Sequence, residues 1–213
     1  MNELPAYIVV EGPIGVGKTS LARRLADTFD IELLLEPASE NPFLPAFYEN
    51  PGTTALPTQL HFLFQRVKQI EALRQTDMFK SSQVADFLLE KDKLFAKATL
   101  NDAEYDLYQQ VYNRLMLTPP VPDLVIYLQA KPEILLRRIL DRGVYYERNI
   151  DESYLKKISD AYIEFFYHYS SSPLLIINTE NFDPTNGNEN YNILLEHIYK
   201  LQHGRHYFNP QEI

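Results

Sequence analysis

The stretch Ala6-Tyr7-Ile8-Val9-Val10-Glu11-Gly12-Pro13-Ile14-Gly15-Val16-Gly17-Lys18-Thr19 decides the fold. Its first part, Ala6 to Val10, is a short continuous apolar run, as a strand buried on both faces of a parallel sheet requires. Its second part, Gly12 to Thr19, fits G-x-x-x-x-G-K-[ST] and leads into a helical pattern from Lys18 to Phe29. In that context backbone amides and a helix N-terminus stabilise phosphate charge, and the glycines let the amides come close to the oxygens. Lys18 is placed to reach the β- and γ-phosphates of a nucleoside triphosphate, and Thr19 to offer a hydroxyl to Mg²⁺. The expected cradle is Gly12, Pro13, Ile14, Gly15, Val16, Gly17, Lys18, Thr19 and Ser20. An ordinary glycine-rich turn is the competing reading, and motif and context together argue against it.

Working outward, apolar runs recur at Ile31 to Leu35, Val121 to Leu128 (in its apolar part from Leu124) and Leu174 to Ile177, with a weaker one at Ser82 to Asp86. Helical patterns lie between them, at Leu56 to Arg74, Asp102 to Leu117, Pro132 to Arg142, Ile150 to Tyr169 and Asn190 to Leu201. Alternation of this kind predicts an α/β fold: a doubly wound, five-stranded parallel sheet with helices on both faces. The 213 residues suit a single domain. Asn178 to Asn190 reads as a surface loop, and the tail after Gly204, residues 205–213, as loosely held.

A net charge of −9 and a pI near 5.0 disfavour a nucleic-acid polymer as partner. With no cysteine there is no disulfide, thiolate metal site or cysteine nucleophile. No apolar run approaches a bilayer span and the first residues carry no basic leader, so the expectation is a soluble, cytoplasmic chain.

The phosphate cradle does not name the acceptor, so other residues must. Glu36 follows the second apolar run, where open α/β sheets bind ligands; it can accept a proton from a hydroxyl, hold Mg²⁺ or simply be solvated. Gln59 and Arg66 are two turns apart on one helical face, matching a base edge or an exposed polar stripe. Asp86 closes the weak strand as a magnesium ligand, a catalytic base or a helix cap. Arg138 and Arg142 are four apart, suiting a phosphoryl clamp or a solvated face, with Arg137 beside them and Glu147 beyond Gly143. Five scattered histidines show no metal spacing. Tyr105, Tyr108 and Tyr112 at helical spacing read as packing or dimer contacts.

Taken in order, the Gly-Pro-Ile-Gly-x-Gly-Lys-Thr loop, Glu36, Asn41-Pro42-Phe43-Leu44 with Phe47-Tyr48, Gln59 with Arg66, and Arg138-x-x-x-Arg142-Gly143 before Glu147 resemble the deoxynucleoside kinase family. The likeness runs from about Tyr7 to Phe182 and is to the bacterial deoxyadenosine/deoxyguanosine kinase branch. The resemblance implies an ATP- and Mg²⁺-dependent homodimeric enzyme that phosphorylates the 5′-hydroxyl of a purine deoxynucleoside for nucleotide salvage. By the same resemblance Glu36 activates the hydroxyl near Mg²⁺, and Tyr48 and Glu147 hold the sugar 3′-hydroxyl. Gln59 reads the base with Arg66 at its edge, while Leu44, Phe47 and Phe95 wall the pocket. Arg138 and Arg142 close a lid, at about 138–150, over the triphosphate, and Asn181-Phe182 packs on the adenine. Thr19, Glu36 and Asp86 are the implied metal ligands, and Lys18, Glu36, Asp86, Arg138 and Arg142 the catalytic set.

The sequence departs from the family pattern in three places. Phe87 follows Asp86 where many members have an arginine, so positive charge must come from elsewhere. The spacing from Asp86 to Phe95 is one residue short, leaving open whether Lys91 or Asp92 faces the base. Val144 replaces the second arginine of the lid. Two other functions share the phosphate cradle. A nucleoside monophosphate kinase needs cations for the acceptor's own phosphate, yet no Lys or Arg lies between Glu36 and Gln59. A GTPase-type regulatory module generally carries Asn-Lys-x-Asp, which is absent.

Overall fold

Ile8, Val9 and Val10 are fully buried because their strand lies inside the sheet, flanked on both edges and covered on both faces. The computed structural model describes residues 5–77, 82–88, 90–115, 118–183, 188–201 and 203–209. The strands are β1 (Tyr7–Glu11), β2 (Glu32–Leu34), β3 (Gln83–Ala85), β4 (Leu124–Gln129), β5 (Leu174–Asn178) and β6 (Arg205–Phe208). They run in the order β2-β3-β1-β4-β5-β6, every neighbouring pair parallel. The chain therefore winds outward from β1 to one edge, crosses over and continues to the other. The carboxyl ends of β1 and β3 meet where a ligand crevice is expected.

The helices are α1 (Lys18–Phe29), α2 (Leu44–Glu49), α3 (Pro51–Asp77), α4 (Lys91–Thr99), α5 (Asp102–Leu115), α6 (Pro132–Arg142), α7 (Glu152–His168) and α8 (Glu189–Lys200). Pro132 stands in the first turn of α6, and Gly143 ends it at φ 72, a left-handed conformation that glycine takes without Cβ strain. Asp151 caps α7 by accepting the Tyr154 N–H. One apolar cluster joins Leu21, Leu25, Ile126, Leu135, Leu175 and Ile198 on one face of the sheet. A second joins Phe87, Leu94, Tyr127, Ile158, Tyr162 and Phe166 on the other, so α4 and α7 cover the face opposite α1 and α8.

Two sequence expectations need correction. The sheet has six strands, not five, and residues 205–208 of the tail form the sixth instead of hanging loose. Arg-His-Tyr-Phe has no continuous apolar run because an edge strand needs only one buried face. Arg205 holds it by donating to the carbonyls of Phe166, Tyr167 and Tyr169 at the end of α7, and Phe208 packs edge-on against Phe182. The last residues of the expected tail, 210–213, and residues 116–117 of the expected Asp102–Leu117 helix lie outside the described residues. Among the described residues, no helix is long and apolar enough to cross a membrane.

Candidate active site

The turn after β1 is tight because Gly12 sits at φ 148 against the backbone of β4 and Gly15 at φ 82 against α6. Lys18 folds back over it, donating to the carbonyls of Gly12 (2.8 Å) and Pro13 (3.1 Å). Burial pushes its ammonium below the usual value, and the charge of Lys91 adds to that. Thr19 Oγ1 donates to Asp86 Oδ2 at 2.5 Å, and the other oxygen of Asp86 accepts the Glu36 N–H at 2.7 Å. Asp86 thus joins the phosphate turn to the end of β2.

Glu36 is the hub of the acceptor side. Arg66 Nη2 grips its Oε1, and Lys91 Nζ donates to Oε2 at 2.6 Å. Burial alone would raise this carboxyl, but Arg66 and then Lys91 outweigh it and hold it at about 2. Arg66 also stands 3.4 Å from Asp92 and lies over the Phe87 ring at 4.4 Å. Burial pushes the Asp92 carboxyl up to about 6 despite that arginine, and its Oδ2 has no hydrogen-bond partner.

Beneath this group lies Glu11, fully buried. Its oxygens accept the Gly12 N–H (2.9 Å), the Leu88 N–H (2.7 Å) and the Tyr162 hydroxyl (2.8 Å). That set satisfies a buried carboxylate with hydrogen bonds and ties the phosphate turn to the segment after β3.

A cavity of about 170 Å³ opens between these groups. Lys18, Thr19 and Asp86 line its phosphate end, while Glu36, Arg66, Lys91 and Asp92 line its middle. Gln59, Leu44, Phe47 and Phe95 form an apolar wall with one amide. Tyr48, Glu147 and Arg142 stand at the remaining side. Tyr48 stacks on Tyr146, with ring centroids 6.3 Å apart and planes 5° from parallel, and Tyr154 meets it edge-on. Asn41 fixes α2 by donating to the Thr58 carbonyl and accepting the Phe43 N–H.

The structure therefore brings together Ile14, Lys18, Thr19, Glu36, Leu44, Phe47, Tyr48, Gln59, Arg66, Asp86, Phe95, Arg142 and Glu147 around one cavity. Arg138 does not line it; its guanidinium donates to the side chain and carbonyl of Thr179, 3.0 and 2.6 Å away. Phe182 is 2% exposed with its ring on Phe208, so it faces the core, while Asn181 beside it is exposed. Both Lys91 and Asp92 line the cavity. Thr58, Phe62, Tyr154 and Tyr162 also line it and were missed. The signal for Lys91 was present, as Phe87 left a positive charge owing.

The residues fit Mg²⁺ at one place. That ion takes one or two protein oxygens with phosphate and water completing the shell, and Thr19 Oγ1 and Asp86 Oδ2 offer adjoining hard oxygens at the cavity. Glu36 has both oxygens on cations.

A sequence profile described as "Deoxynucleoside kinase" matches residues 8–203. Deoxyguanosine kinase from Bacillus subtilis is 36% identical over 163 residues, covering 76% of this chain and 78% of that one. Deoxyadenosine/deoxycytidine kinase from the same organism is 28% identical over 208 residues, covering 93% and 94%. Solved structures of deoxyadenosine kinase from M. mycoides with bound dCTP and with bound dATP have TM-scores of 0.77 and 0.79 at 23% identity. They cover 92% and 90% of this chain and 100% and 98% of theirs, a likeness of fold.

Proposed function

Since the chain belongs to the deoxynucleoside kinase family, we propose that it moves the γ-phosphate of ATP to the 5′-hydroxyl of a purine deoxynucleoside, giving the monophosphate for salvage. The observation that carries this is one cavity shared by the phosphate turn, through Thr19 and Asp86, and a carboxylate on the acceptor side, Glu36. Phosphoryl transfer needs alignment and charge stabilisation more than covalent help.

In this reading the amides of the turn from Gly12 to Ser20, Lys18 and Arg142 stabilise charge on the transferred group. Thr19 and Asp86 would hold Mg²⁺, whose charge would offset that of the phosphate oxygens. A carboxyl held at about 2 is a weak base, so Glu36 chiefly orients the 5′-hydroxyl and takes its proton late, as the bond to phosphorus forms. Tyr48 and Glu147 hold the 3′-hydroxyl and crowd a 2′-hydroxyl. Gln59 pairs with the base, and Asp92, with an oxygen unpartnered, accepts N–H donors of a guanine edge. Purine preference draws its support from the relatives named deoxyguanosine and deoxyadenosine kinases.

The whole chain acts as one cytoplasmic kinase domain with residues 138–150 as its lid. Arg138 belongs to the lid only if closure frees it from Thr179, and Asn181 reaches the adenine more readily than Phe182. A homodimer is the assembly the resemblance implies. The cavity of about 690 Å³ between α4 and α7, with Leu94, Ala98 and Phe165 in its walls, supports a helical interface there.

A panel assay tests the activity: purified protein, Mg²⁺ and ATP offered each of the four deoxynucleosides, their ribonucleosides and dTMP. Phosphorylation of deoxyguanosine or deoxyadenosine is expected. Phosphorylation of dTMP alone overturns the proposal, and a preference for thymidine or deoxycytidine overturns its purine part.

A further inference from the structure

Lys91, the first residue of α4, is 5% exposed, so a strongly hydrated ammonium has been taken out of water. Such a charge is costly unless anions are arranged around it. Two are: Glu36 Oε2 at 2.6 Å and Glu11 Oε2 at 4.0 Å. Glu11 cannot follow Glu36, because its oxygens are already fixed to the Gly12 and Leu88 amides and the Tyr162 hydroxyl. A ladder results, in which the phosphate turn fixes Glu11, Glu11 steadies Lys91, and Lys91 holds Glu36.

Arg66 holds the other oxygen of Glu36 on different terms. Its guanidinium is shared with Asp92, at 3.4 Å, and Gln69, at 3.3 Å. Among the described residues, Lys91 makes no ion pair beyond Glu11 and Glu36. The side chain next to Asp86, Phe87, is apolar and buried, so α4 supplies the ammonium that faces this end of the cavity.

We infer that Lys91 is a positioning residue for the transfer: it anchors Glu36 Oε2 to the phosphate turn through Glu11, leaving Oε1, whose arginine is shared with Asp92, to meet the acceptor hydroxyl. This rests on Glu36 being the carboxylate that orients that hydroxyl. In the step itself the 5′-oxygen bonds to the γ-phosphorus as the bond to the β-phosphate oxygen breaks. The electron pair of the broken bond stays on ADP, the hydroxyl proton passes to Oε1, and Lys91 keeps its proton throughout.

A double-mutant cycle on the full chain tests it, comparing wild type, Lys91→Met, Lys91→Arg, Glu36→Gln and the Glu36→Gln/Lys91→Met pair with deoxyguanosine and MgATP. Lys91→Met is expected to lower kcat by about tenfold or more while the nucleoside KM moves by less than about threefold. Lys91→Arg should recover part of the loss, and Lys91→Met should cost nothing further once Glu36 is already Gln. Lys91→Gln replaces Lys91→Met if thermal unfolding shows that the latter does not fold. An unchanged kcat, or losses that multiply fully in the double variant, overturns the inference. A Glu36→Gln enzyme as fast as wild type overturns it too, by removing the group Lys91 acts through. Wild type inactive on every deoxynucleoside instead overturns the assigned activity.

Discussion

Arg142, the last residue of α6, donates to Glu147 in the turn that follows, 2.6 Å away, so the arginine proposed for the lid is tied to the carboxylate proposed for the sugar. Glu147 is buried while Arg142 is about half exposed. On the proposed reading, movement of the arginine toward phosphate and release of the carboxylate toward the 3′-hydroxyl would be one event. Glu147→Gln is expected to raise the deoxynucleoside KM by roughly tenfold. It should also change the KM for ATP, since Arg142 loses its anchor. Separate titrations of the two substrates check this, and an effect on neither removes Glu147 from the site.

Tyr48 offers a finer probe, because Phe at this position keeps the stack on Tyr146 and removes only the hydroxyl. Tyr48→Phe should weaken deoxynucleoside binding by about tenfold, the worth of one hydrogen bond to a polar group. A 3′-deoxy analogue should bind wild type and variant alike. Equal losses for both ligands would instead mean that the hydroxyl acts through the protein and not through the sugar.

Asp92 makes a prediction for stability. Burial holds its folded-state carboxyl up at about 6 against an ordinary 3.8, so the folded protein binds this proton more tightly than the unfolded chain. Its contribution is then a penalty that is absent below 3.8 and grows as pH rises through about 6. Asp92→Asn should accordingly raise the unfolding free energy above about pH 7, by up to roughly 2–3 kcal/mol and with it the thermal midpoint, and leave both unchanged near pH 4. Melting curves across that range decide the point.

Gly12 and Gly143 share a positive φ yet should respond differently to alanine. A Cβ on Gly12 meets the Leu128 carbonyl oxygen at 2.3 Å, whereas one on Gly143 has nothing within 4 Å. Gly143→Ala carries only backbone strain, about 1 kcal/mol. Gly12→Ala must displace β4 backbone, so a loss above about 2 kcal/mol together with weakened ATP binding is expected. Denaturant unfolding with and without nucleotide separates the two effects.

What could be read from the sequence follows the range of the forces involved. β1, β4 and β5 announce themselves because full burial demands unbroken apolar runs, and the phosphate turn because its glycines and Lys-Thr pair are contiguous. Helix α4 escapes a periodicity reading because its first turn is Lys-Asp-Lys, a charged run of the kind that usually lies in water, although Lys91 and Asp92 are both buried. Their partners, Glu36 and Arg66, lie far away in sequence, and pairing across that distance leaves no local pattern. Phe182 shows the reverse failure. A residue matched to a ligand loop has its ring in the core, since the aromatic that receives it belongs to a strand the sequence hardly marks.

That strand also governs the order of a segment it does not contain. β6 is the last element among the described residues, and Phe208 supports the loop after β5 through Phe182. The loop after β5 therefore takes its shape only once β6 has joined the sheet, so the two should order and melt together.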